Sequence, residues 1–354
     1  MNILDFFRGK AVTIPPMDGA LKPNRSLDEA ALVVAHAEPD NLVADGHSLF
    51  FTAGAQLLEL AHGARQARVV ETFPAAITAL AKSEDDAWAV ALQSGAVLVR
   101  EKREAWREIA SFKCPVALAF GAGQFLYLGN GSEAHPPSAW AHDLMAKGSS
   151  GSVWRLALHA GERERLADGL AFPFGIAVDH AGGRLLVSES WRHRVLAIPS
   201  AGGAPQPVLA KLPGYPGRIS DRRGQGFLLC LFAPRNRLIE LVLQEDAYRM
   251  DMMAEIPRDY WVAPALASGK TFLEPLQCGG VRTMGIHKPW SPSRSYGLVV
   301  ELGADAEPIA SHHSRADGKR HGIVSAVEWL GHITAAARGG DCIVRIAAHG
   351  GGEA

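Results

Sequence analysis

A pattern of four short apolar segments recurs along the chain at a nearly even spacing. It is clearest in residues 176–209, IAVDHAGGRLLVSESWRHRVLAIPSAGGAPQPVL, where Gly, Asp, Ser and Arg separate four alternating runs. Alternation with a period of two residues is typical of half-buried β-strands, and the separating residues are typical of turns. Each unit is therefore predicted to form a small sheet of four strands.

Six such units can be followed between residues 42 and 348. Without two apparent insertions, at 133–150 and 233–294, each unit has about 38 residues, near the length of a propeller blade. Two stacked β-domains are an alternative, but evenly spaced four-stranded units protect their edges better when they close radially. The sequence thus predicts an all-β fold: a six-bladed β-propeller with short helical insertions on one face.

The chain is predicted to have three parts: an N-terminal extension at 1–40 that packs on the propeller, the propeller itself at 41–348, and a tail at 349–354. Both insertions fall between the second and third strands of their units, so both are expected on one face of the disc.

Helical patterns are predicted inside both insertions. In the first, two prolines at 136–137 precede Ser138, a potential N-cap, and a helix over residues 139–147. The second has a helical pattern at 235–256, and long structured insertions of this kind usually serve as lids or binding walls.

The composition excludes several classes of protein. With 47% hydrophobic and 21% charged residues among 354, the chain can bury a large core, which excludes a disordered protein. The formal net charge of −1 gives no electrostatic reason to expect nucleic acid as a partner. No run of 18 apolar residues occurs, so no membrane span is predicted.

The cysteines and the first residues bear on location. Cys114, Cys230, Cys278 and Cys342 are far apart and form no CxxC pair, so a zinc knuckle or redox motif is not expected. Charged residues interrupt MNILDFFRGK before the apolar core of a signal peptide could form. We therefore predict a cytoplasmic protein with free thiols.

Polar residues are predicted at the face that carries the insertions. His135 and His142 are candidates for substrate binding, and exposed helix residues are the alternative. His142 and Asp143 are adjacent on a helix, point in different directions and cannot form a dyad with each other. Glu189 ends an apolar strand, where it could act as a catalytic acid or base or pair with a neighbouring arginine.

The second insertion and the segment after it add further candidates. His287 and His313 are predicted to be catalytic. The candidates for substrate binding there are Trp261, Trp290, Arg294, Tyr296 and His321. Aromatic rings with cations suit a small organic substrate that carries a carboxylate or a ring. The alternatives are that the aromatics anchor the insertion and that the histidines belong to a polar loop, and no metal ligand is predicted.

Four stretches carry a resemblance to a known family. They are SAWAHDLMAKGSSGSVWRL, ADGLAFPFGIAVDHAGGRLLVSESWRHRVLAI, LPGYPGRISDRRGQGFLL and VSAVEWLGHITAAA. On these the chain resembles the strictosidine synthase-like six-bladed propellers, relatives of the adipocyte plasma membrane-associated protein, over about residues 38–348. Members of that family include a condensing enzyme and esterase-like proteins on one scaffold, so the resemblance implies the fold more than one reaction.

The resemblance also implies two sites, and this sequence departs from both. The plant members condense an amine with an aldehyde through a glutamate in the last blade, where Val324 or Ser325 stands here. The wider relatives, regucalcin-type gluconolactonases and paraoxonases, hold calcium in the central channel with oxygen ligands. Phe174 and Gly217 stand at two expected ligand positions, and Asp40 could fill the remaining acidic one. No cofactor is therefore predicted, and calcium would need other ligands.

The leading functional hypothesis is hydrolysis of an ester or lactone of a small organic metabolite in the central pocket, with Phe174 among the residues that contact it. One alternative is a non-catalytic propeller that binds a small molecule or a protein. A second is Pictet-Spengler-type condensation of an amine with an aldehyde, which would need a carboxylate other than the family's.

Overall fold

The structure confirms the predicted six-bladed propeller. The computed structural model describes residues 13–102, 104–269, 274–275, 282–283, 286–287 and 293–346, with the pairs at 282 and 286 described by their backbone alone. A first strand, β1 (Ala31–Ala35), precedes blade one. The sheets of all six blades are antiparallel and have four strands.

The first three blades follow one another along the chain. Blade one consists of β2 (Asp40–Ala44), β3 (Ser48–Ala53), β4 (Gln56–Ala61) and β5 (Arg68–Thr72). Blade two consists of β6 (Ile77–Lys82), β7 (Trp88–Leu92), β8 (Ala96–Arg100) and β9 (Arg107–Ser111). Blade three consists of β10 (Pro115–Phe120), β11 (Phe125–Asn130), helix α1 (Trp140–Met145), β12 (Gly151–Ala157) and β13 (Arg163–Leu170).

The last three blades complete the ring. Blade four consists of β14 (Pro173–Asp179), β15 (Arg184–Glu189), β16 (Arg194–Pro199) and β17 (Gln206–Leu209). Blade five begins with β18 (Gly214–Asp221) and β19 (Phe227–Pro234). Its insertion holds α2 (Arg237–Gln244), α3 (Asp246–Glu255), β20 (Arg282–Thr283) and β21 (Ile286–His287). It ends with β22 (Gly297–Leu302) and β23 (Pro308–Ser314). Blade six consists of β24 (Ile323–Trp329), β25 (His332–Ala337), β26 (Cys342–Arg345) and β1.

The blades pack face to face around a central channel. The first strands of successive blades contact one another in a ring, so they surround the channel. Every residue of β7 and β19 is buried, because the faces of the neighbouring blades cover a middle strand on both sides. Each interface is filled by apolar side chains, as where Val97 of blade two shares a cluster with Leu126 and Leu156 of blade three.

A strand from the N-terminal side closes the ring. Strand β1 pairs antiparallel with β26, with Leu32 opposite Val344 and Ala35 opposite Cys342. β1 is thus the fourth strand of blade six. The predicted domain boundary at residue 40 assigns this strand to the N-terminal extension, although it belongs to the propeller. The sixth repeat supplies only three strands of its own, so its edge needs a strand from elsewhere.

Both insertions lie on one face, as predicted, and they touch each other. Lys147 Nζ, just after α1, lies 2.7 Å from Asp246 Oδ1 at the start of α3. The predicted N-cap, Ser138, instead lies in a 3₁₀ turn, Pro137–Ala139, and its Oγ accepts a hydrogen bond from Gln93 Nε2 at 2.8 Å. The prolines start this turn two residues before the predicted start of the helix, and α1 begins only at Trp140.

The structure describes two features that bear on the type of protein, namely the helices and the cysteine thiols. In the described part of the chain, none of the helices has the length and apolar character needed to cross a bilayer. Cys114, Cys230 and Cys342 are buried free thiols, and Cys278 lies outside the described residues. Burial raises the pKa of the Cys114 thiol to about 12, so that thiol stays protonated. The cytoplasmic location stays a prediction.

Ring closure can be tested on the two faces of β1. Val34 is 8% exposed and Leu32 is 55% exposed. We expect Val34→Asp to lower the free energy of unfolding by about 3 kcal/mol or more, because it buries an unpaired carboxylate. Leu32→Asp, which adds the same charge to the other face, should change it by no more than about 0.5 kcal/mol. Urea denaturation measures both, and equal effects would contradict closure through this strand.

Candidate active site

The first insertion folds back on itself and brings His135 next to Asp143. The 3₁₀ turn before α1 reverses the chain, so that two residues eight positions apart meet. His135 Nδ1 lies 3.1 Å from Asp143 Oδ1. An ionised carboxylate only accepts hydrogen bonds, so we assign the Nδ1–H tautomer to His135. Nε2 then carries the lone pair, and within the described residues it has no hydrogen-bond partner.

Asp143 is the buried centre of this arrangement, with 1% of its surface exposed. Its Oδ1 also accepts a hydrogen bond from Ser132 Oγ at 2.6 Å, and its Oδ2 accepts one from Trp191 Nε1 at 2.8 Å. Three side chains thus hold the carboxylate in place. A carboxylate fixed in this way can orient the His135 ring and stabilise the imidazolium that forms when His135 takes a proton.

Gly148 lets the Asp143 carboxylate lie against the backbone that ends the insertion. A Cβ atom at position 148 would come within 2.3 Å of Asp143 Oδ2. The Gly148 N–H also donates to the Asp143 carbonyl oxygen at 2.8 Å. The glycine, three residues beyond the end of α1 at Met145, therefore leaves room for the carboxylate.

A second histidine, His142, lies in the same region. Its ring centroid is 6.5 Å from that of His135 and 4.6 Å from that of Trp261. Burial lowers the pKa of His142, and the charges of Arg258 and His135 lower it further, so the neutral ring is favoured. His142 Nδ1 is buried and has no hydrogen-bond partner in the described part of the chain.

An open groove runs beside this insertion, between blades two and three. It has a volume of ≈ 640 Å³. Its lining includes Phe112, Lys113, Glu133, Pro136, Trp154 and Arg163. Pro136 is the chain neighbour of His135, so the groove opens close to the histidine. Aromatic rings beside two cations suit a small organic molecule with a ring or a negative charge.

Aromatic rings connect Asp143 with the central channel. Trp191, which donates to Asp143, stacks on Phe172 with a centroid distance of 4.5 Å. Phe172 meets Phe174 at 5.7 Å, and the Arg218 guanidinium lies 5.1 Å from the Phe174 ring. The predicted substrate contact Phe174 thus packs under the insertion and against a cation in the channel.

That cation is held by oxygen atoms of three other blades. Arg218 Nε and Nη2 donate to the two carboxylate oxygens of Asp40 at 2.9 and 3.2 Å. Nη1 donates to the Val116 carbonyl at 2.8 Å, and Nη2 donates to the Thr78 carbonyl at 2.9 Å. Since these residues belong to the strands around the channel, the guanidinium lies inside the channel.

The residues at this position do not fit a calcium ion. Phe174 and Gly217, at two of the implied ligand positions, have no side-chain oxygen. Asp40 is the acidic residue there, and Arg218 already neutralises its charge. Calcium takes six to eight oxygen ligands, and a second cation beside the guanidinium would be repelled. Nor do the described residues contain a group of three or more His, Cys, Asp or Glu side chains that could hold a metal.

The structure places Glu189 at the end of β15, where its contacts are with residues other than His135 and Asp143. It is fully buried. Arg192 Nη1 donates to its Oε1 at 2.6 Å, Arg194 Nε donates to its Oε2, and the Ala171 N–H also donates to Oε1 at 2.8 Å. The sequence left two roles open for Glu189, a catalytic acid or base and an ion-pair partner of an arginine. The observed contacts are those of an ion-pair partner.

A second group of predicted residues meets at β22, β23 and the loop that follows. His313 is fully buried, with Nδ1 3.1 Å from Tyr296 Oη and Nε2 2.8 Å from Ser311 Oγ. His321 Nδ1 lies 2.8 Å from Ser295 Oγ. The ring nitrogens of both histidines form hydrogen bonds within the fold. Their contacts are therefore those of the packed interior and not of an open site.

The remaining predicted residues lie in or near the second insertion. Trp261 is 1% exposed, and its Nε1 donates to the Ile256 carbonyl at 2.7 Å. Arg294 Nη1 donates to the Asp259 carbonyl at 3.0 Å. Both contacts tie the insertion together. Trp290 lies outside the described residues, as does the side chain of His287.

Sequence reasoning missed the residues that hold the two central groups. Adjacency in the sequence relates Asp143 to His142, whereas its partner His135 lies eight residues earlier. The signal for Arg218 is a single arginine in the apolar inner-strand segment GYPGRIS, which requires a buried partner. Asp40, the acid that begins the inner-strand segment DNLVA, is the matching signal on another inner strand.

The role of His313 can be tested by the pH dependence of stability. Burial lowers the pKa of His313 from 6.5 to about 4, with contributions from His312 and Arg315. Below about pH 6.5 the unfolded chain binds a proton that the folded chain does not, so stability present above that pH is lost towards pH 4. The loss is about 1.4 kcal/mol per pH unit.

The measurement is urea denaturation between pH 7 and pH 4. The slope of unfolding free energy against pH should be smaller in His313→Gln than in the wild type, whereas His62→Gln, at an exposed position, should keep the wild-type slope. Equal slopes in all three proteins would contradict the neutral buried state of His313.

Comparison with known proteins identifies the architecture. No family model matches the chain, and no curated protein matches it. Among solved structures, regucalcin from Agrobacterium tumefaciens strain C58, described as a calcium-binding protein, is 12% identical with a TM-score of 0.53. The match covers 88% of this chain and 85% of that one. A luciferin-regenerating enzyme is 10% identical with a TM-score of 0.50, and the match covers 92% and 94%. The chain therefore has the six-bladed architecture of regucalcin-like propellers.

Proposed function

We propose that this protein is a hydrolase that cleaves a small ester or lactone at the face covered by the insertions. The observation that carries the proposal is the His135–Asp143 pair, in which a buried carboxylate holds one ring nitrogen and leaves the other without a partner in the described chain. A half-buried histidine held in this way is suited to act as a general base. One structural neighbour is named as an enzyme, which supports catalysis on this fold but no particular reaction.

In the proposed reaction, His135 Nε2 removes a proton from a water molecule as the water oxygen attacks the carbonyl carbon. The tetrahedral intermediate then collapses, the C–O bond to the leaving group breaks, and the imidazolium returns its proton to the departing oxygen. An ester yields an acid and an alcohol, and a lactone yields one hydroxy acid. Asp143 stabilises the imidazolium and keeps the ring in the productive tautomer.

We assign the substrate contacts to the surroundings of His135. His142 is kept neutral, so its ring can share a hydrogen bond without adding charge. Arg258 lies over the Trp140 ring at 5.5 Å, and its charge acts on His142, so it would favour negative charge on the carbonyl oxygen there. The adjacent groove, with Trp154 and Arg163, fits the non-reacting part of the substrate.

Membership of the strictosidine synthase-like subgroup is part of this proposal, supported by the four sequence stretches. The condensation reaction of the plant members is not. The position of their glutamate is taken here by Val324 or Ser325, and the Ser325 hydroxyl accepts a hydrogen bond from the Leu42 N–H at 2.9 Å. Glu328, the nearest acid, is bound by Arg222 at 3.2 Å.

Replacing the proposed base tests the reaction. We expect His135→Gln to lower kcat for the best substrate of an ester and lactone panel by about 10²–10⁴-fold, because the proton acceptor is lost. KM should change little. His62→Gln, an exposed histidine far from the insertion in sequence, is the matched control and should keep full activity. Steady-state kinetics with circular dichroism melting separates loss of chemistry from loss of fold.

Two outcomes would overturn the proposal. A His135→Gln variant as active as the wild type would exclude this histidine as the base. A folded wild type that binds members of the panel and turns over none of them would favour the alternative of a non-catalytic binding propeller.

A second variant tests the role of Asp143. We expect Asp143→Asn to lower kcat by about 10³-fold, because the amide can donate to His135 Nδ1 and so stabilise the tautomer that has no lone pair on Nε2. The side chain keeps its size and its oxygen can still accept the hydrogen bond from Trp191, so the melting temperature should fall less than activity. A loss of activity only in step with a loss of folded protein would contradict a positioning role.

A further inference from the structure

The channel contains an oxygen cage that already holds a cation of the protein itself. Four oxygen atoms, two from the Asp40 carboxylate and one each from the Thr78 and Val116 carbonyls, accept hydrogen bonds of 2.8 to 3.2 Å from Arg218. Carboxylate and carbonyl oxygens in one cluster are the ligands that hard divalent cations prefer. In this protein the positive charge in the cluster comes from Arg218, a side chain of β18.

Every blade contributes to this group. The oxygens belong to blades one, two and three, and Arg218 itself to blade five. Blade four supplies the Phe174 ring, 5.1 Å from the guanidinium carbon. Blade six supplies Arg338, whose Nη1 lies 3.4 Å from Asp40 Oδ2. The side chains of Asp40 and Arg218 are 10% and 13% exposed, so water contributes little to their solvation.

The backbone of β18 is shaped to turn Arg218 inward. The pairing of β18 with β19 is irregular between Pro216 and Ile219, on either side of Arg218. Ser188 and Ser190 of blade four fix this irregularity, because their hydroxyls donate to the Gly217 and Pro216 carbonyls at 2.5 Å.

Gly175 permits the close approach of blades four and five at this point. A Cβ atom at position 175 would lie 2.8 Å from the Arg218 Cα and 2.5 Å from the Gly217 carbonyl oxygen. A larger residue would therefore push the two inner strands apart where the arginine leaves the backbone.

The charges explain why a cation is needed here. Burial would raise the pKa of Asp40, but Arg218, and to a smaller extent Arg338, outweigh it, so the pKa is lowered. Without the guanidinium, a buried carboxylate and two inward carbonyls would lose their donors, and such groups are costly when unpaired.

We infer that Arg218 is a built-in cation that takes the place of a bound metal ion in the channel, so that a side chain of the protein itself holds the propeller together at its axis. The inference concerns the channel and does not depend on the proposed hydrolysis. It requires that calcium leave the wild type unchanged and that removal of the guanidinium destabilise the fold through the unpaired Asp40 carboxylate.

Thermal unfolding of the full chain tests both requirements. The melting temperature of the wild type should stay within about 1 °C when EDTA or millimolar calcium chloride is added. Arg218→Ala should melt roughly 5–10 °C lower, because it leaves a buried charge unpaired. Arg218→Ala with Asp40→Asn should melt higher than Arg218→Ala alone, because the second substitution removes the unpaired buried carboxylate.

Arg222 provides the matched control. It follows β18, its side chain is 18% exposed, and it pairs with Glu301 at 2.6 Å and Glu328 at 3.2 Å. Arg222→Ala should lower the melting temperature less than Arg218→Ala does, because Glu328, one of its two partners, is 32% exposed and stays solvated. The inference is overturned if purified wild type carries stoichiometric calcium, if calcium stabilises it, or if Arg218→Ala melts no lower than Arg222→Ala. Should Arg218→Ala fail to fold, the wild-type measurements still decide the first requirement.

Discussion

In a closed ring of blades, each sheet is covered on both faces only while both neighbours are in place. This mutual covering allows middle strands such as β7 and β19 to consist of apolar residues throughout. The pairing of β1 with β26 makes the covering complete, because without it the last blade would end in an open edge. The stability of any one blade therefore depends on a contact between residues some 300 positions apart in the chain.

At the axis of the propeller, the fold must provide hydrogen-bond partners for buried polar groups, which matters more there than the burial of apolar surface. Inner strands that converge on a channel direct carbonyl groups into a space with little water, and these groups need donors. Arg218 supplies four hydrogen bonds from one side chain and also neutralises Asp40. A planar guanidinium suits this position, since its donors point outward in fixed directions to acceptors on several strands.

The two insertions on the face above the channel are what this chain adds to a ring of six sheets. The first insertion reverses at its prolines and returns Asp143 to His135, while Trp191 of blade four ties the same carboxylate to the disc. The second insertion packs over it through His142 and Trp261. The pair proposed to be catalytic is thus carried by a loop, but a rigid scaffold fixes it from below.

The repeat of alternating segments by itself determined the six blades, the places of the two insertions and the shared face on which they lie. These features depend on local periodicity and on chain order, which a sequence displays directly. Only the tertiary structure decided that Ala31–Ala35 completes blade six, that Glu189 and His313 are bonded within the fold, and that Asp143 meets His135. It likewise decided that Arg218 reaches Asp40 across the channel. Each of these contacts joins separate turns, strands or blades, and the direction of a side chain across such a gap is set by the packing of the whole ring rather than by its neighbours in sequence.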